Sequence, residues 1–87
     1  MVHRARKIRK SIHSPEQLAF CELMIEARNR ANLSQQKLAE RLGKHQSFVA
    51  KYEGGDRRLD VVEFLTVARA IGADPVKILR TLNKRKQ

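Results

Sequence analysis

Apolar residues recur along this chain at three- and four-residue steps, in short runs fenced by residues that start or stop helices. Ser14 is a good N-cap, Pro15 suits the first helical position, and Gln17 completes a capping box. Leu18, Cys21 and Ile25 then share a face, widened by Phe20, Met24 and Ala27, which predicts a first helix fading near Ala31–Asn32. A second helix opens at the cap residue Ser34, buries Leu38, Ala39 and Leu42, and ends at Gly43, a position that often needs positive φ. A third runs from about His45 or Gln46 to Glu53, with Val49 and Tyr52 turned inward and Gly54-Gly55 as its stop. His45 is by type a poor cap. The fourth has the clearest start: Asp60 caps, Glu63 reaches back to it, and Leu59 staples onto Phe64. Val61, Phe64, Leu65, Ala68 and Ile71 make its core stripe, and Gly72 ends it. Asp74 and Pro75 open a fifth helix, whose Val76, Leu79 and Leu82 face the core. Lys84, Arg85 and Lys86 lie at or beyond its end, where cations suit the helix dipole. No strand signal and no internal repeat intervene, so the fold class is all-α, five helices around one core.

A chain of 87 residues is one domain, large enough for a single compact core but not for a deep active-site cleft. The net charge of +10 points to an anionic partner, and its distribution matters more than its sum. Residues 1–14 carry five basic groups and no acid, residues 15–43 balance, and residues 61–87 carry six basic groups against two acids. The helical middle is therefore nearly neutral. Residues 1–13 read as a flexible basic arm, 14–83 as the folded domain and 84–87 as a basic tail.

Within the domain, residues 34–53 have the layout of a helix-turn-helix. The third helix must cross the second steeply, which asks for a small residue at Gly43, and must bury Val49 and Tyr52 while exposing its own N-terminal end. The exposed residues are then Lys44, His45, Gln46, Ser47 and, one turn on, Lys51. A Gln side chain matches adenine N6 and N7 with two hydrogen bonds, a Ser donates or accepts, and a Lys reaches guanine or phosphate. Gln46 is accordingly the candidate base reader. Arg57 and Arg58, together with the backbone N–H groups at the start of the fourth helix, are candidates to hold phosphates.

Residues 28–59 resemble the phage repressor–Cro (Xre-type) helix-turn-helix family, through Leu33, Ser34-Gln35, Leu38-Ala39, Leu42-Gly43, Gln46-Ser47, Val49, Glu53, Gly55 and Arg57. Ile71-Gly72 and Asp74-Pro75 extend the likeness to about residue 82. The resemblance implies a lambda-repressor-like domain that binds double-stranded DNA as a homodimer on a two-fold operator. It implies that Gln35 bonds a phosphate and braces Gln46, and that Arg28 pairs with Glu53 as part of the scaffold. Whether that pair is buried is not legible in the sequence.

Catalysis has little support: there is one cysteine without a spaced histidine, no glycine-rich phosphate loop, and Asp60 and Glu63 are accounted for as a capping box. The three histidines lack metal-ligand spacing, and no cofactor is implied. Cys21 lies on an apolar face, as a core residue would, and a lone cysteine fits a reducing compartment. No run approaches the ~20 apolar residues of a membrane span, so a cytoplasmic location is expected. Three other readings stand beside the regulator: an antitoxin-like protein that also binds a toxin partner, a nonspecific nucleic-acid binder that uses its basic arm and tail, and a pure protein-interaction module. Phe48 either packs on the second helix or touches a sugar or thymine methyl group.

Overall fold

The computed structural model describes residues 14–85 and, among them, holds five helices and no strand. They are α1 (Pro15–Arg30), α2 (Gln35–Leu42), α3 (Gln46–Glu53), α4 (Val61–Ile71) and α5 (Pro75–Arg85). The predicted basic arm and Lys86 lie outside the described residues. Every predicted helix agrees in type and nearly in extent, because each end is set by a local hydrogen bond. Ser14 Oγ accepts from the Gln17 N–H, Ser34 Oγ from the Lys37 N–H, and Asp74 Oδ1 from the Val76 N–H. The reciprocal capping box closes at α4, where Glu63 N donates to Asp60 Oδ1 and Asp60 N donates to Glu63 Oε1. His45 does cap α3, against the expectation from its type: its Nδ1 accepts from the Ser47 N–H at 3.1 Å, an imidazole lone pair doing what a carboxylate oxygen usually does.

The turn between α2 and α3 corrects one expectation. Gly43 has φ +66°, and a Cβ built there meets nothing within 4 Å. The position demands left-handed backbone, not small size. In that conformation the Lys44 N–H reaches back to the Ala39 carbonyl at 2.9 Å and closes the end of α2.

Met24, Leu38, Ala39 and Val49 are sealed from solvent and join α1, α2 and α3 in one cluster with Tyr52, Phe64, Val67 and Ile71. Phe20 meets the Phe64 ring edge-on at 5.4 Å, and Leu59 packs against the cluster as the staple requires. Arg41 of α2 donates to the Ala70 carbonyl at 2.8 Å and so ties the helix-turn-helix to the last turn of α4.

Three predicted core residues point outward: Val61 is 74% exposed, Val76 58% and Leu79 49%. Leu18, assigned to the apolar face of α1, is also exposed, and Ile25 is half-buried. In α4 the buried stripe is Phe64, Val67, Ala68 and Ile71, while Val61, the first residue after the cap, lies on the solvent side. In α5 the stripe is one residue out of phase with the prediction. Ile78, buried, is four residues from half-buried Leu82, and Leu79 is three residues from it. Both phases are helical, so periodicity alone does not distinguish them. α5 runs through Arg85, whose guanidinium lies 3.6 Å from Glu22 and 3.8 Å from Glu26 of α1. The start of the predicted tail is thus the last turn of a helix.

Candidate nucleic-acid interface

Glu53 is the last residue of α3 and the one charged side chain buried among the described residues. A buried carboxylate needs donors, and three converge on it. Arg28 of α1 donates through Nε to Oε2 at 2.8 Å and through Nη2 to Oε1 at 3.0 Å, a two-pronged charge-assisted pair. The same guanidinium donates through Nη1 to the Leu33 carbonyl at 2.8 Å and so fixes the chain between α1 and α2. The side chains of Arg28 and Glu53 are 12% and 4% exposed, which answers the question the sequence leaves open: the carboxylate is buried and its guanidinium partner is largely shielded from solvent. Glu53 raises the Arg28 pKa further above its already high ordinary value.

The third donor is Gln35, at the start of α2. Its Nε2 donates to Glu53 Oε1 at 2.9 Å, and its Oε1 accepts from Gln46 Nε2 at 2.7 Å. The bracing of Gln46 by Gln35 that the resemblance implies is thus present without DNA, and it is anchored in the interior. Gln46 and Ser47 are half-buried, while Lys44, His45 and Lys51 are exposed. Ser47 Oγ lies 3.0 Å from His45 Nδ1, so its hydroxyl is already engaged with the cap.

A second constellation surrounds Phe48. Its ring packs edge-on to Tyr52 with centroids 5.6 Å apart, and two cations stand over it, Lys44 Nζ at 5.4 Å and the Arg57 guanidinium at 4.9 Å. Phe48 therefore packs within the protein and gathers two of the predicted DNA-binding residues, Lys44 and Arg57. The sequence leaves its place open, because the loop holding Arg57 has no periodic relation to α3. Arg57 is also held by Glu63: Nη2 donates to Oε2 at 2.7 Å and Nη1 to Oε1 at 3.1 Å. A phosphate at Arg57 must use the remaining donors or displace that carboxylate. Glu63 thus serves the ion pair with Arg57 as well as the capping box that the sequence predicts. Arg58 offers its carbonyl to Arg57 Nη1 at 3.3 Å.

The Arg57 guanidinium, followed by the Asp60 N–H, holds the Glu63 carboxyl down at about 2 from an ordinary 4.5. A depressed carboxylate contributes stability that is complete above its unfolded pKa and fades as pH falls through its folded one. Here the window runs from about 4.5 down to about 2. A carbon-detected NMR titration of the side-chain carboxyls should find Glu63 titrating near the lower end. In Arg57→Gln the midpoint should move back toward the ordinary value. A Glu63 that titrates normally in the unmodified protein removes this ion pair from the account.

Cys21 is core, as predicted: its Sγ donates to the Tyr52 carbonyl at 3.3 Å, and burial pushes the thiol pKa up, away from reactivity. Burial likewise pushes the Tyr52 phenol up, and its hydroxyl has no hydrogen-bond partner among the described residues.

This arrangement matches known proteins in both sequence and shape. The family model described as helix-turn-helix matches residues 24–84. An XRE-family like protein from Pseudomonas syringae pv. tomato str. DC3000 is 44% identical, with a TM-score of 0.81 over 92% of this chain and 98% of that one. The restriction-modification controller protein C.AhdI from Aeromonas hydrophila is 30% identical, with a TM-score of 0.68 over 76% of this chain and 96% of that one. No curated protein matches. A match over most of the chain, with two structural relatives at this identity, shows that the chain belongs to the XRE-type helix-turn-helix family of DNA-binding regulators.

Proposed function

We propose that this protein binds double-stranded DNA sequence-specifically and regulates transcription by laying α3 in the major groove. The observation that carries the reading is the Gln46 side chain, braced by Gln35 at the N-terminal end of the helix that must enter the groove. Gln46, Ser47 and Lys51 face bases, and Gln35, Lys44, Arg57 and Arg58 hold phosphates, with His45 at the junction of the two sets. The neutral middle of the chain means that the fit of these side chains, more than bulk charge, selects the site. One of the relatives is a restriction-modification controller protein, which fits a regulatory role.

One helix-turn-helix reads one half-site, so the protein acts as a homodimer, with half-sites about one helical turn apart, ~34 Å. Val76 and Leu79, one turn apart on the outward side of α5, are the apolar positions offered for the seam. A second copy is favoured over an unrelated partner because a two-fold pair duplicates the reading helix as well as the seam.

The test is selection from a randomised duplex pool at two salt concentrations, with Gln46→Ala as the comparison. A two-fold symmetric site should emerge, and Gln46→Ala should lose ~1–3 kcal/mol of discrimination at one base pair per half-site. Equal affinity for all sequences, collapsing together at high salt, would mean that charge alone does the binding.

A further inference from the structure

Gln46 presents a primary amide, and an amide reads adenine only in one orientation: its N–H must face N7 and its carbonyl N6. The two orientations are nearly the same shape, so packing does not choose between them. Hydrogen-bond direction does. Arg28 grips the Glu53 carboxylate from one side, and a carboxylate offers acceptors only. Gln35 must therefore turn its Nε2 to Glu53, which leaves its Oε1 facing Gln46. Gln46 must then turn its own Nε2 to Gln35. The amide edge left over is one N–H and one carbonyl side by side, the complement of adenine. Reversing Gln46 alone sets two carbonyl oxygens against each other. Reversing Gln35 with it sets a carbonyl against the carboxylate.

We infer that Glu53, which lies beneath the interface, is a specificity-determining positioning residue: through Gln35 it fixes which way the Gln46 amide faces. This rests on Gln46 reading a base, as proposed above. It goes further in assigning a part in base choice to a buried scaffold carboxylate two hydrogen bonds away. Its three members lie on two helices, Gln46 and Glu53 at the two ends of α3 and Gln35 at the start of α2, so only the crossing of the two helices assembles the relay.

The decisive variant is Glu53→Gln, whose side chain donates or accepts and so no longer forces the direction. Affinity is measured for four duplexes that differ only at the base pair assigned to Gln46. The preference for adenine over the other three should fall roughly three- to ten-fold, part of the span a bidentate pair commands. Affinity for random duplex should stay as it was. Arg28→Lys, which weakens the pair but keeps the carboxylate, should retain the preference. Should Glu53→Gln not fold, Glu53→Asp takes its place: it keeps a charge for Arg28 but withdraws it from Gln35, and the same loss is expected. In the free protein, NMR should show the Gln46 side-chain amide as a single protected pair of resonances, averaged and unprotected in the same variant. An unchanged base preference, or an equal loss on all four duplexes, overturns the inference. An unmodified protein with no base preference but a protected Gln46 amide would instead remove the proposed readout and leave the relay standing.

Discussion

Arg28→Ala should lower the unfolding free energy by ~3–5 kcal/mol, a large share of what a domain this size has. An exposed ion pair is worth ~0–1 kcal/mol, so the size of the effect is itself a test of burial. Substitution leaves the Glu53 carboxylate, 4% exposed, with Gln35 as its remaining side-chain donor. It also removes the donor that fixes the Leu33 carbonyl between α1 and α2. Urea denaturation should show a lower midpoint with an unchanged slope, as expected for lost stability in an otherwise similar fold. The double variant Arg28→Ala with Glu53→Ala should cost less than the sum of the two singles, since it removes the orphaned charge along with its partner. A loss below ~1 kcal/mol in the single variant would place the pair in water, contrary to the geometry. Arg28→Lys should fall between, because an ammonium cannot span both carboxylate oxygens and the Leu33 carbonyl.

What the sequence discloses here is mainly what local chemistry decides. Ser14, Ser34, Asp60 and Asp74 cap the helices they precede, and Gly43 and Gly72 adopt the left-handed backbone that ends two of them. Gln35 and Gln46 are flagged by the resemblance, and the structure joins them directly. The misreadings share a cause. Choosing between Ile78 and Leu79, or between Val61 and Val67, depends on where α1 and α2 lie, which no window along α4 or α5 contains. The same is true of the site. Arg57 comes to Glu63 and Phe48 only because the loop after α3 folds back, and Gln35 reaches Glu53 only because α2 and α3 cross. Residue type predicted the candidates, but contacts across the chain decide which are free to act and which already hold one another.

Leu38→Ala is the second large effect and should cost ~2–5 kcal/mol. Leu38 has no exposed surface and lies between α2 and the cluster of Met24, Val49 and Tyr52. A cavity there opens under the crossing of α2 and α3, held from one end by the left-handed turn and from the other by the Gln35–Glu53 bond. Those two ties are polar and local, so they do not refill the space, and the lost methylenes should appear nearly in full. The contrast is Leu79→Ala. Had the predicted phase of α5 held, it would cost a similar amount. With Leu79 at 49% exposure, its effect on the unfolding of the monomer, measured at a dilution that separates any dimer, should stay within ~0.5 kcal/mol. The DNA consequences should differ just as clearly. Leu38→Ala touches no proposed contact, so its base preference should survive while its apparent affinity follows the folded fraction as temperature rises. Leu79→Ala should leave the folded fraction alone and weaken binding only through the second copy, as a steeper dependence on protein concentration. If instead Leu79→Ala destabilises the monomer as much as Leu38→Ala, α5 is rotated from the packing described, and the seam proposed for its outward side goes with it.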